Sequence, residues 1–301
     1  MRLLAASITP TGPERTGYAD APGGRIWWRM DGVRHLRSQR APLIGIHGGP
    51  GGSHDYLLPL TRLSEERTII LYDQLDCGDS DKPGDARNWT VERFVAEVDA
   101  IRAALEIERC ILIGHSWGGL IAVEYAARNP AGLEGAVFAS PLISTARWIA
   151  DNRAHRTALP PEVQIALERH EAEGTTSDPG YQAALRVLMK RHFCRTTTEP
   201  PEVASLFRKM NGSLYRTLWG EGAFACTGLL KDYDASPLLS QIQVPCLFLC
   251  GEFDESTPAA NRAFASLTPD AKVSVIPGAS HMPMFENSIA FLTALRWFAG
   301  T

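Results

Sequence analysis

The chain has 301 residues, 45% of them hydrophobic and 21% charged, with a formal net charge of −4; this ordinary globular usage argues against a disordered or fibrous protein. Its pI is near 6.1 and its Lys and Arg residues are scattered rather than striped, so it lacks the basic field that draws nucleic acid or anionic lipid. No stretch reaches the roughly 20 apolar residues of a membrane span, and the run Leu3 to Ala6 behind Arg2 is shorter than a signal-peptide core; the expectation is a cytoplasmic protein with one large α/β domain and an insertion.

In chain order, short apolar runs bounded largely by Gly, Pro or Asp predict strands at Leu43 to Ile46, Thr68 to Tyr72, Cys110 to Ile113, Ala136 to Ala139, Cys246 to Cys250 and Val273 to Ile276. Between them, Thr90 caps a helix whose buried face is Val91, Phe94, Val95, Val98, Ile101 and Leu105. A second helix follows Gly119 and stops at Asn129-Pro130. This alternation predicts a mostly parallel sheet with helices on both faces. The stretch 143–232 breaks it with more charge, more Pro and Gly, and helical periodicity in segments such as Tyr181 to His192. It reads as a helical cap, with a plain string of connecting helices on the sheet as the alternative, flanked by a first core part, 1–142, and a second, 233–301. The six cysteines at 77, 110, 194, 226, 246 and 250 sit mostly in apolar runs and read as buried small hydrophobes. No second cluster completes a zinc set around Cys246 and Cys250, so no metal is expected.

Four places carry chemistry. Cys110 to Gly119 runs from a strand through Gly114-His115-Ser116-Trp117-Gly118 into a helix. A sharp strand-to-helix turn with glycine on either side pushes a serine hydroxyl out above the sheet and aims the helix N-terminus at it, which predicts a nucleophile at Ser116. The earlier loop Gly45-Ile46-His47-Gly48-Gly49-Pro50-Gly51-Gly52 has no phosphate-loop Lys-Ser/Thr. It reads instead as bare backbone able to donate an N–H to an oxyanion, together with the N–H of Trp117. A serine needs a base and an acid, here expected in the order serine, acid, histidine. Of eight histidines, His281 alone follows the cap and a strand. The turn after Cys246 to Cys250 offers Glu252, Asp254 and Glu255, and Asp254 at its tip, before Thr257-Pro258, is the expected acid. His47 and His115 are read as shaping the site. Trp148, Phe193, Leu214, Tyr215, Trp219 and Phe224 are candidates to line an acyl or leaving-group pocket.

These motifs together resemble the proline iminopeptidase family of α/β-hydrolases: His47-Gly-Gly-Pro-Gly51 with Ser53-His54-Asp55-Tyr56, Tyr72-Asp73-Gln74-Leu75, Gly114 to Gly118, Lys231-Asp232-Tyr233-Asp234, Gly251 to Pro258 and Ser280-His281. The resemblance implies a helical cap, a triad of Ser116, Asp254 and His281, and oxyanion donors at Gly49 and Trp117. It also implies an aminopeptidase or amino acid amidase that works without metal or organic cofactor on a small molecule or short peptide. Relatives hold the substrate's free α-amine with glutamates, one matching Glu255. The other sits in a Gly-Pro-x-Glu-Phe stretch that here reads Trp219-Gly220-Glu221-Gly222-Ala223-Phe224. Ala223 stands at the family's glutamate position and Glu221 two residues earlier, so Glu221 is a second candidate amine anchor. Two other readings stay open: a carboxylic ester or lactone hydrolase, favoured by Ala223, and a silent α/β-hydrolase serving as receptor or scaffold.

Overall fold

The computed structural model describes residues 12–222 and 225–300. Eight strands form one sheet in the order β1-β2-β4-β3-β5-β6-β7-β8, with β1 at Arg15–Ala21, β2 at Gly24–Asp31, β3 at Leu43–Ile46, β4 at Ile69–Tyr72, β5 at Cys110–His115, β6 at Leu133–Ala139, β7 at Cys246–Gly251 and β8 at Ala271–Ile276. β3 to β8 run parallel, and β2 pairs antiparallel with both β1 and β4. The hairpin β1-β2 is absent from the strands expected from sequence. Its outer strand is mostly solvent-facing, so polar residues break up the apolar run that identifies a doubly covered strand. Arg29 and Asp31 are buried there only as an ion pair, at 2.9 Å.

The inner strands read as unbroken apolar runs because successive side chains enter different cores. Ile44, Ile70, Tyr72 and Leu112 face one core, packed by α1 (Val91–Ala104), α2 (Trp117–Ala127) and Phe264 of α8 (Pro258–Ser266). Leu43, Ile69, Leu71, Ile111 and Ile113 face the other, packed by the 3-10 helix His54–Leu63 and by α10 (Ser288–Gly300), which follows the short α9 (Pro283–Glu286). Thr90 caps α1, its hydroxyl accepting from the Arg93 amide at 3.3 Å. Cys77, Cys110, Cys246 and Cys250 are buried, Cys194 and Cys226 half-buried, and all six are free thiols.

Between β6 and β7 the described residues form five α-helices: α3 (Thr145–Thr157), α4 (Pro161–Glu173), α5 (Pro179–His192), α6 (Pro201–Lys209) and α7 (Gly212–Leu218). α4 and α5 share a small core of their own, centred on Leu167, Tyr181 and Leu188. The two ends of this stretch meet. Thr145 donates to the Tyr233 carbonyl at 3.0 Å and Ala235 to the Ile143 carbonyl at 2.9 Å, around a bridge between Ser144 and Asp234. Among the described residues no helix is long and apolar enough to cross a membrane.

Candidate active site

Ser116 occupies the turn from β5 into α2 at φ 58° and ψ −121°, a left-handed backbone that costs an L-residue energy unless its surroundings enforce it. They do. A Cβ on Gly114 would lie 2.1 Å from the Gly118 carbonyl oxygen, and one on Gly118 would lie 2.2 Å from the Ile46 carbonyl oxygen. The turn therefore closes only with glycine at both positions, and it sets the half-buried serine at the head of α2.

His281 lies beyond β8 and Asp254 beyond β7, and Nδ1 of the one is 2.8 Å from Oδ1 of the other. Asp254 is fully buried and accepts three further hydrogen bonds: from the Ser140 hydroxyl at 2.6 Å, the Gly251 amide at 3.0 Å and the Ser256 amide at 2.9 Å. Burial alone would raise its pKa, but His281 and these donors outweigh it and hold the carboxyl below its ordinary value. Burial likewise disfavours the His281 cation, yet Asp254 beside it leaves the imidazole above its ordinary value. Glu252, the alternative acid nearest the strand, instead accepts from the exposed Gly278 amide at 2.9 Å.

The loop after β3 also approaches Ser116, since a Cβ on Gly48 would lie 2.9 Å from the Ser116 Cβ. Among the described residues neither the Gly49 nor the Trp117 amide donates a hydrogen bond. Gln74 joins the two segments: its side chain accepts from the Trp117 indole at 2.9 Å and donates to the His47 carbonyl at 2.8 Å. Sequence reasoning gave Gln74 no role of its own, although the Asp73-Gln74 pair is part of the motif set and pointed to it.

Ser116, His281 and Glu255 line one cavity with Trp148, Tyr215 and Trp219. The Glu255 carboxylate makes no hydrogen bond among the described residues. Burial raises its pKa to about 7, with His281 lowering it and Asp254 adding to the rise. Glu221, the second expected anchor, is not brought there. Its side chain is 79% exposed and sits 3.7 Å from Arg216. Ala223 and Phe224 lie outside the described residues. Leu214 is fully buried in the sheet core rather than on the cavity. The remaining helical wall is apolar, with Met189, Phe193, Leu206, Phe207 and Met210. Apart from Phe193 these escaped sequence reasoning, since at helical spacing a pocket wall and a core face look alike.

Two further histidines of the helical stretch, His155 on α3 and His192 at the end of α5, stack at 3.8 Å between ring centroids. They lie 3.0 and 2.8 Å from the Asp254 and Phe253 carbonyl oxygens respectively, and the His281 amide donates to the His192 carbonyl at 3.1 Å. The helices thus grip the backbone of the acid and histidine turns.

Residues 41–288 match the α/β-hydrolase fold family. A proline iminopeptidase of Heyndrickxia coagulans is 37% identical over 286 residues, 94% of this chain and 97% of that protein. The chain belongs to the proline iminopeptidase family of α/β-hydrolases. Among solved structures, this family member is similar to VinJ, at 36% identity and a TM-score of 0.91, over 96% of this chain and 99% of VinJ. It is also similar to the proline iminopeptidase of Mycobacterium smegmatis, at 33% identity and a TM-score of 0.89, over 95% and 98% of the two chains. As a member of this family the protein is a hydrolase.

Proposed function

We propose that the protein is an aminopeptidase or amino acid amidase that releases an N-terminal residue through an acyl-enzyme on Ser116. His281 Nδ1–H is held by Asp254, which leaves Nε2 to take the Ser116 proton as Oγ attacks the substrate carbonyl. The oxyanion is received by the amides of Gly49 and Trp117, the imidazolium then protonates the departing amine, and water repeats the cycle to free the acid. Helices α3 to α7, within 143–232, act as a cap over this chemistry.

The observation that carries the reading is Glu255, a buried carboxylate with no hydrogen-bond partner among the described residues, in the cavity that holds Ser116 and His281. An unpaired buried acid is costly, and a substrate ammonium is the partner that relieves it. A second reading, an ester or lactone hydrolase, is favoured by Ala223 and by the outward turn of Glu221, which together leave Glu255 as a single anchor. The deciding experiment measures wild type and Ser116→Ala on L-alanyl and L-prolyl anilides, their N-acetyl forms, and aryl esters and lactones. The aminopeptidase reading expects cleavage of the free-amine anilides only, lowered about 10⁴-fold or more in Ser116→Ala. Indifference to acetylation, with esters or lactones preferred, sinks it.

A further inference from the structure

Two polar side chains buried against the cavity have no part in this scheme. Tyr56 and His115 are each 1% exposed, and both line the cavity. The Gly48 amide donates to Tyr56 Oη. Tyr56 Oη lies 3.1 Å from His115 Nδ1, and His115 Nε2 lies 2.8 Å from the backbone carbonyl oxygen of His281.

These contacts admit one arrangement of protons. A carbonyl oxygen only accepts, so His115 Nε2 must carry a hydrogen. Burial, reinforced by the neighbouring His281, pushes His115 down to about 3; the ring is neutral and its single proton is already placed. Nδ1 is then an acceptor, the Tyr56 hydroxyl proton points at it, and the Tyr56 oxygen lone pair receives the Gly48 amide. Two consequences follow for the loop after β3. The Tyr56 hydroxyl, though it faces the cavity, has no proton left for a substrate oxygen. The Gly48 amide is also engaged, which leaves Gly49 as the open donor.

We propose that Tyr56 and His115 are positioning residues, forming a chain of hydrogen bonds with a single proton order that holds the oxyanion loop and the His281 loop in one register. The need for such a tie comes from the sheet. The oxyanion loop leaves β3 and His281 follows β8, and β5, β6 and β7 lie between them, so no strand pairing sets one loop against the other. His115 ends β5 inside that gap, its ring 5.2 Å from Tyr56 and 4.8 Å from His281 between centroids. Attack requires the substrate carbonyl to reach Gly49 while Ser116 reaches His281, and misplacement by about 1 Å can cost on the order of 100-fold in rate.

The proposal rests on the roles given above to Ser116, His281 and Gly49, and Ser116→Ala is run beside every variant. In wild-type protein with 15N-labelled histidine, His115 is expected as the neutral Nε2–H tautomer from about pH 5 to about pH 9. An Nδ1–H tautomer, or titration within that range, overturns the chain of bonds without any variant having to fold. On a free-amine anilide, Tyr56→Phe and His115→Leu should each lower kcat on the order of 10- to 100-fold with KM little changed. The double variant should fall no more than about threefold below the worse single, as for residues acting as a unit. His115→Gln, whose amide offers both an acceptor and donors, should recover most of the loss. Single variants within about twofold of wild type, or losses that multiply in the double variant, overturn the proposal. Cleavage that survives Ser116→Ala removes the proposed function and this role with it. Ser116-dependent cleavage that ignores Tyr56→Phe removes this role alone.

Discussion

On the sheet side of the cavity, Ser116, Gly49, Asp254 and His281 sit on turns leaving β5, β3, β7 and β8, and most of what holds them is backbone: glycines that admit no Cβ, amides on the Asp254 carboxylate, carbonyls facing histidine rings. On the helical side, Trp148, Met189, Phe193 and Met210 present side chains from α3, α5 and the segment after α6, with unbranched methionines that repack easily. The difference teaches a division of labour. Under the proposed function, chemistry falls to turns whose geometry has one solution, and selectivity to a wall that can change residue by residue without disturbing them. Glu255 stands on the border, next to Asp254 in the chain but facing the helices.

If that division is real, substitutions should fall in a graded series. The largest loss is expected on the sheet side. Asp254→Asn keeps the size of the side chain but sets the wrong His281 tautomer, and kcat should fall about 10⁴-fold; a fall under tenfold in steady-state assays would break the assignment. Next is the border. Glu255→Gln should raise KM for free-amine anilides by roughly 30-fold, equivalent to about 2 kcal/mol, with a much smaller change in kcat.

The border also titrates. Glu255 is protonated below about 7 and binds an ammonium only when ionised, while His281, raised above its ordinary value, acts as a base only when neutral. Both requirements fail as pH falls, so the acid limb of kcat/KM should steepen toward slope two in wild type and return to slope one in Glu255→Gln. The raised Glu255 pKa has the opposite sign for folding. The folded chain keeps a proton that the unfolded chain has lost, so stability declines as pH rises from the ordinary glutamate range to about 7. Urea melts should show Glu255→Gln escaping that decline.

On the helical side the effects should be smaller. Phe193→Ala, which removes a ring 5.6 Å from His281, should lower kcat/KM for a bulky anilide by about tenfold, the scale set by lost apolar contact, and for a small amide by less. Equal losses on both substrates would mean that Phe193 serves the base rather than the wall. At the bottom of the series, Glu221→Gln should stay within about twofold, because an exposed ion pair contributes little. A strong effect on free-amine substrates would bring Glu221 back as an anchor.

The pattern of success in reading the chain follows the same line. The inner strands and the Ser116 turn were legible because each depends on neighbours within a few residues: a doubly buried strand must be apolar throughout, and a strand-to-helix elbow must have glycine beside the serine. The hairpin β1-β2 was not legible, since an edge that is half solvated mixes polar and apolar residues. The helical wall was not legible either, since Leu214 and Tyr215 are adjacent in α7 yet one enters the sheet core and the other the cavity.

Sequence alone determined the α/β architecture and the turn at Ser116, because local backbone sterics and a recurring apolar period are written residue by residue, and its motifs carried the resemblance to the family. Only the tertiary structure showed what each of three neighbouring acids meets: Glu252 an exposed amide, Asp254 the His281 ring and Glu255 the cavity. It alone sent Glu221 to solvent and joined Gly48, Tyr56, His115 and His281 into one chain of hydrogen bonds. The reason is physical: a carboxylate or an imidazole takes its role from the partner it meets, and these partners come from distant parts of the chain, brought together only when the sheet and its covering helices close.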